Sequence, residues 1–373
     1  MPPLRFTQSE NTFTAHIDWQ GDTTAPFLTE ERRMIQEQAR EFTLNEVLPV
    51  ANKLDPEKGE IPMDLREKMA ALGYFGILIP EQYGGLGLGC SEYCLVTEEL
   101  SRGWMSVASI IARGNLLIGS QEMSEEQRRR YLPRMAKGEF LGAFSMSEPN
   151  AGSDISNISC RAKKDGDSYL ISGNKYWCTF ADGADFMIII ARTSDAPPGK
   201  RHLGLSMFFV EKKRGELPKG CSGAPIPKIG YFGWKTWELA FDNFRVDTAD
   251  LIGKEGHAFY YATSGLETAR AHTAARAIGL AQGALDDSIQ YANDRKQFGH
   301  SISDFQAIRF KIADMATQIE AARQLLYGVC EEIDSGDHSR LQTIASMVKC
   351  YVTDVAMRIA VGQGRSGWTG LRE

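Results

Sequence analysis

The stretch Phe144–Asp154, FSMSEPNAGSD, and the run Lys175–Phe180, KYWCTF, decide how this chain reads. Gly142 stands just before the first stretch. Small hydroxyl residues, a proline and a glycine surround Glu148, and strand-forming sequence follows. Ser147 and Ser153 are short enough to set a hydroxyl or a backbone N–H against a ligand edge. Pro149 fixes one turn angle, and Gly152 admits close backbone approach. Trp177 and Thr179 are two apart, so on a strand both face one way and offer a ring plane and a hydroxyl to one ligand. By composition alone the same segments read as a polar loop and a hairpin.

Working outward, the pattern splits the chain. Residues 27–140 read as helical. Thr29 with Glu30 and Glu31 is an N-cap signal, and Met34, Ile35, Ala39, Phe42 and Val47 follow at helical spacing. Helices are expected over Pro62–Leu72, Ser91–Ser101 and Met105–Ser120, with Pro80 and Gly84-Gly85 turning the chain between the first two. From 141 to 250 the period changes: Tyr169–Ile171, Phe186–Ala191, Leu205–Val210 and Leu239–Phe244 are short β-type runs separated by turn signals. Helical pattern returns over 251–373, first from Phe259 to Asp294. Phe305, Ile308, Ile312, Met315, Ile319, Ala322, Leu326, Val329 and Ile333 then step by threes and fours as a bundle seam, stopped at Asp334-Ser335-Gly336. Helix spacing resumes at Met347, Cys350, Val355 and Ile359. The fold class is α+β: an all-α N-terminal domain, a β-barrel or sandwich in the middle and a C-terminal helical bundle.

Bulk properties bound the function. The 373 residues suffice for two or three domains, and 43% hydrophobic with 24% charged content is that of a soluble globular chain. A net charge of −6 argues against nucleic acid or an anionic membrane as partner. No apolar run reaches membrane-spanning length, and residues 1–26 read as a polar extension without a secretory core. Cys90, Cys94, Cys160, Cys178, Cys221, Cys330 and Cys350 are scattered, with no C-x-x-C. They read as reduced thiols of a cytoplasmic protein, with no disulfide framework and no metal site.

As a set, S-E-P-x-A-G-S-D at Ser147–Asp154 followed by K-x-W-C-T at Lys175–Thr179 resembles the flavin-binding stretch of the acyl-CoA dehydrogenase family, T-E-P-x-A-G-S-D then K-x-W-I-T. The resemblance covers most of residues 27–360, and the order helical, β, helical is also that family's. It implies bound FAD, an acyl-CoA substrate and an electron-transfer flavoprotein or similar acceptor. The implied reaction is α,β-desaturation, in which the α-hydrogen leaves as a proton and the β-hydrogen as a hydride to flavin N5. By resemblance, Phe144, Met146, Ser147 and Gly152 line one flavin edge, Trp177 and Thr179 the N5 side, and Ser153 lies near the CoA arm. Arg295, Gln297, Phe298 and Gln306, in R-K-Q-F-G-x-x-I-x-x-F-Q, would contact the adenine and pyrophosphate of FAD in a neighbouring subunit. That implies a homo-oligomer, dimer or tetramer. Gln363 matches a further FAD-site glutamine if the alignment slips by a residue or two.

Three charged residues keep two readings each. Glu267 and Arg270 are one turn apart; the resemblance assigns them to CoA, and a solvated ion pair explains them equally. Arg113 interrupts an apolar helix. It either snorkels to the surface or, by resemblance, meets a carboxylate at the end of a dicarboxylic acyl group.

The match departs from the family in three places. The general base, a glutamate in a Tyr-Glu-Gly-Thr segment near the C-terminus, is not found. A minority branch carries it just before Arg270, where this chain has Ala269; Glu267, two residues away, is the remaining candidate and faces elsewhere on the helix. The tail Val361–Glu373 fits Q-x-x-G-G-x-G-Y poorly and reads as truncated or divergent. Phe180-Ala181 points to an atypical branch, with branched, aromatic or dicarboxylic substrates. Two other functions stay open: a flavoprotein without a base that performs a non-desaturating acyl-CoA elimination, and a catalytically silent acyl-CoA- or partner-binding protein.

Overall fold

The computed structural model describes residues 27–115, 121–336 and 340–361, with the backbone alone for 5–9, 12–16 and 362–363. In chain order, β1 (Arg5–Ser9) and β2 (Thr12–His16) form an antiparallel hairpin within the expected polar extension. Next come α1 (Glu30–Phe42), a widened π turn (Thr43–Val47), α2 (Leu48–Leu54), α3 (Met63–Ala71), α4 (Cys90–Gly103), α5 (Met105–Ile110), α6 (Ala112–Asn115) and α7 (Glu125–Ala136). The β region holds β3 (Gly142–Ser145), β4 (Arg161–Asp165), β5 (Ser168–Thr179), β6 (Phe186–Arg192), β7 (Leu205–Glu211), β8 (Cys221–Pro225), β9 (Thr236–Asp247) and β10 (Leu251–Ile252). Then follow α8 (Ala258–Ser264), α9 (Leu266–Asp294), β11 (Lys296–Gln297), β12 (His300–Ser301), α10 (Gln306–Ser335) and α11 (Leu341–Gln363).

Two expected helices are each divided. The 105–120 segment breaks at Ile111, and residues 116–120 lie outside the described set. The 259–294 segment breaks at Gly265, a weak helix former. Thr29 caps α1 as expected, its hydroxyl accepting from the Arg32 N–H at 3.3 Å, a contact worth about 1 kcal/mol.

Contacts divide the chain into two compact units that interleave along the sequence: 1–51 with 89–108 and 267–373, and 52–88 with 109–266. Helices pair by face, so α4 joins the C-terminal helices although it precedes the β strands.

In the helical unit, α10 carries the expected seam. Ile312, Met315, Ile319, Ala322, Leu326 and Val329 are buried, and Ile308 and Ile333 pack against the same core. Gly336 ends the helix at φ 75°, a conformation glycine adopts without a Cβ penalty. A Cβ on Gly279 would lie 2.1 Å from the Glu98 carbonyl oxygen, so glycine alone lets α9 cross α4 this closely. The crossing buries charge. Glu98 accepts from Arg323 Nε at 2.8 Å and from the Tyr327 hydroxyl at 2.9 Å, while Arg323 also donates to Gln282 at 3.0 Å. Each buried charge is thereby paired, as burial demands.

In the other unit an eight-stranded sheet runs in the order β10-β7-β6-β4-β5-β9-β8, with β3 parallel to β6. It is an open sheet rather than a closed barrel. β6 and β7 are covered on both faces, and so their sequences are nearly continuous apolar runs without alternation. Tyr131 of α7 stacks on Phe209 at 4.2 Å, and Phe186 also stacks on Phe209 at 4.3 Å.

The turn Thr248–Asp250 at this sheet's edge supplies a test of pH dependence. Burial first, and Asp247 beside it second, push the Asp250 carboxyl up to about 6. The folded state thus binds this proton more tightly than the unfolded chain, whose carboxyl titrates near ~4. Its contribution to stability is present at low pH and declines as pH rises through ~4 to 6. Asp250→Asn is expected to raise the melting temperature at pH 7.5 and to change it little at pH 4.5. An equal shift at both pH values would refute the assignment.

Candidate functional site

The loop after β3 and the end of β5 are fastened side by side. Ser147 accepts through its carbonyl from the Tyr176 N–H at 2.8 Å. Beneath this contact lies a buried ion pair. Lys175 Nζ donates to Glu148 Oε1 at 3.0 Å and to the Met146 carbonyl at 2.8 Å. Glu148 also accepts from the Ser159 N–H at 2.8 Å, the Ser159 hydroxyl at 2.7 Å and the Cys160 N–H at 2.9 Å. The carboxylate therefore gathers the loop's two ends, residues 146–148 and 159–160, onto β5. Burial pushes the Glu148 carboxyl up, but Lys175 and the donated hydrogen bonds outweigh it and hold it below the usual range. For Lys175 burial dominates and lowers the ammonium.

The partner strand β9 pairs in a register that shifts between Lys175 and Cys178. That bulge puts an extra residue between two buried ones, so Lys175 and Cys178 both point inward. Trp177 sits at its crest with φ 61° and its residue 57% exposed. A bulky residue in the left-handed region is strained, and an exposed indole forgoes burial. Tyr176 packs edge-on against it at 4.9 Å. Thr179 is half-buried, its hydroxyl 3.3 Å from that of Thr236. Phe180, buried, again has positive φ, 71°.

The loop's own side chains are open. Phe144, Met146 and Ser147 are half-buried, and Gly152 and Ser153 exposed. Among the described residues the Ser147 hydroxyl has no hydrogen-bond partner. A Cβ on Gly152 would meet nothing within 4 Å, so no protein neighbour requires glycine there. Arg113, on α6, is half-buried with its guanidinium 5.9 Å from the Trp234 ring. Burial pushes the Cys178 thiol up to about 11, with Arg113 among the groups that oppose the rise. Arg113 therefore lies close enough for its charge to reach the inner side of the Trp177 bulge. Asn115 anchors this helix: it accepts from the Leu78 N–H at 2.9 Å and donates to the Tyr74 and Ile111 carbonyls.

The other candidates lie on the helical unit. Glu267 and Arg270 are half-buried in the first turns of α9, and neither side chain makes a hydrogen bond or ion pair among the described residues. The solvated ion pair is therefore not formed. Arg295 leads into the β11–β12 hairpin, whose turn is Phe298-Gly299 at φ 54° and 83°. This turn holds the Phe298 ring 90% exposed, with Gln297 and Gln306 also at the surface. Gln363 is the last residue of α11; its side chain and residues 364–373 lie outside the described set. Sequence reading passed over the Glu148–Lys175 pair. Its signal was a lysine set inside an otherwise aromatic strand run.

The arrangement is a presenting surface: an exposed indole, an unpartnered hydroxyl and an open glycine turn held by a buried ion pair. Three blocks of one family match in sequence: the acyl-CoA dehydrogenase N-terminal domain over residues 29–139, the middle domain over 143–244 and the C-terminal domain over 256–361. The chain belongs to the acyl-CoA dehydrogenase family. It is 38% identical over 338 residues to an acyl-CoA dehydrogenase of Bacillus subtilis (strain 168), covering 90% of this chain and 86% of that protein. It is 39% identical over 353 residues to a (2S)-methylsuccinyl-CoA dehydrogenase of Cereibacter sphaeroides, spanning 90% of this chain and 64% of that relative's length. A solved glutaryl-coenzyme A dehydrogenase in complex with glutaryl-CoA superposes with a TM-score of 0.80 at 34% identity, over 92% of this chain and 87% of that one. The family is flavin-dependent, with FAD as its cofactor. No helix among the described residues is long and apolar enough to cross a membrane.

Proposed function

We propose that this acyl-CoA dehydrogenase family member desaturates an acyl-CoA thioester between the α- and β-carbons, and that its acyl group is branched, aromatic or, most directly, dicarboxylic. The observation that carries the reading is Trp177. It is held exposed and strained at a bulge, one residue from the backbone bond that joins it to the Ser147 loop. Strain persists where the surroundings enforce it and clusters at ligand-binding positions. The residues fit a flavin: the indole offers a ring face, the Ser147 hydroxyl an unused donor, and the Gly152 turn open space.

The flavin, when bound, supplies the two-electron acceptor. The protein's own part is binding, orientation and water exclusion. Phe144, Met146, Ser147, Gly152, Trp177 and Thr179 would hold the ring, and Ser153, Glu267 and Arg270 the CoA portion. A half-buried guanidinium such as Arg113 pairs well with a terminal carboxylate. The (2S)-methylsuccinyl-CoA and glutaryl-CoA enzymes among the relatives both act on carboxylated acyl groups by name, which supports this choice.

Arg295, Gln297, Phe298 and Gln306 would serve FAD in a second copy of the chain. Phe298 at 90% exposure, with Phe310, Met347 and Met357 exposed on the same unit, calls for such a partner. An electron-transfer flavoprotein is the proposed acceptor, and the cytoplasm the proposed compartment, in keeping with cysteines that are all free.

A second reading keeps the flavin without desaturation, because Ala269 stands where a minority branch carries its base. The test is the visible spectrum of the purified protein during titration with acyl-CoAs and an electron acceptor. Bleaching by a carboxylated or branched acyl-CoA is expected, with a product two mass units lighter. A yellow protein that no member of a broad panel bleaches would sink desaturation. A colourless protein that still binds CoA esters would leave the silent reading.

A further inference from the structure

Three thiols that the sequence scatters come together inside the helical unit. Cys90 and Cys94 are one turn apart on α4, and Cys330 reaches them from α10. Cys90 Sγ lies 3.9 Å from Cys94 Sγ and 3.8 Å from Cys330 Sγ, and all three sulfurs lie within 4.8 Å of one another. The three residues are fully or almost fully buried, and none is in a disulfide. Contacts that involve no sulfur hold them in place. Asp334, one turn beyond Cys330, accepts from the Cys90 N–H at 2.6 Å, the Ser91 N–H at 3.0 Å and the Ser91 hydroxyl at 2.7 Å. The end of α10 is thus pinned across the start of α4. Volume alone would be filled as well by alanine or valine; three convergent soft donors are a chemical feature as well as a packing one.

We infer that Cys90, Cys94 and Cys330 form a three-thiolate site for a soft, closed-shell cation of the copper(I) type. With metal–sulfur bonds of about 2.3 Å, a planar three-coordinate ion sets its sulfurs roughly 4 Å apart. The two measured edges already stand close to that spacing, so the ion enters with little backbone movement. No other histidine, cysteine or carboxylate among the described residues joins the cluster. Asp334 beside it is committed to α4. Zinc in structural sites takes four ligands, so this set selects against it. Loading exchanges three S–H protons for one ion and changes no oxidation state: M⁺ + 3 RSH → M(SR)₃²⁻ + 3 H⁺. Arg32, which pairs with Glu92 and Glu331 around the start of α4, adds a cation nearby. Cys90, in the first turn, marks the edge at which local opening admits the ion.

The test supplies the flavin-loaded protein with copper(I) from a competing chelator, without oxygen. One copper per chain is expected after desalting, and three thiols should escape maleimide labelling when the protein is then denatured. Cys94→Ala and Cys330→Ala should each weaken retention on the order of 100-fold, whereas Cys350→Ser, which removes the exposed thiol, should not. An equal concentration of zinc(II) should not displace the copper. The site is refuted if copper retention survives both core substitutions. It is refuted equally if labelling of the wild-type thiols is the same with and without copper, a readout that needs no variant to fold. Displacement by zinc would overturn the three-coordinate assignment.

Discussion

Glu148→Gln is expected to lower unfolding stability by about 3–5 kcal/mol and to release flavin, because it strands a buried ammonium. Lys175 and Glu148 have side chains only 0% and 4% exposed, and Nζ has one other acceptor, the Met146 carbonyl. Water cannot replace the lost anion. The damage should be asymmetric. Lys175→Met leaves the carboxylate with three donors from Ser159 and Cys160, so it should cost less, about 1–3 kcal/mol. The double substitution should recover part of the Glu148→Gln loss, a coupling that a double-mutant cycle reads directly. pH supplies an independent check. Glu148 is held below the ordinary carboxylate range, so its stabilising share is present above the unfolded value near ~4.3 and is lost as pH falls through the folded one. The acid limb of wild-type stability should flatten in Glu148→Gln. Chemical denaturation and flavin retention measure both effects, and a variant within 1 kcal/mol of wild type would show that the pair does not hold the loop.

Arg113→Met should leave plain acyl-CoAs within a few-fold of wild type while weakening dicarboxylic ones by about 100-fold, the loss of roughly 3 kcal/mol when one partner of a desolvated charge pair is truncated. Arg113→Lys should recover only part, since an ammonium lacks the guanidinium's forked donors. The ratio of kcat/KM between the two substrate classes is the readout, with flavin-band perturbation on binding as a second. An unchanged ratio would return Arg113 to a structural role beside Trp234, 5.9 Å away.

How much of this was legible beforehand depends on the range of the interaction. The α10 seam, its stop at Gly336 and the Thr29 cap are written in spacings of a few residues, and they appear where the periodicity places them. The division of the 105–120 and 259–294 helices was not visible, because a break at Ile111 or Gly265 competes only weakly with strong flanking helical pattern.

The amino-acid sequence by itself determined the family and the order of helical and β regions, and it singled out the two segments proposed to meet a flavin, because motifs and periodicity are local properties of a chain. Tertiary structure alone decided that Glu148 closes on Lys175, that the β5–β9 register shift lifts Trp177 into solvent, and that Cys330 reaches Cys90 and Cys94. Those outcomes depend on strand register and helix crossing. Both are set by packing between segments far apart in the chain, where no spacing rule reaches.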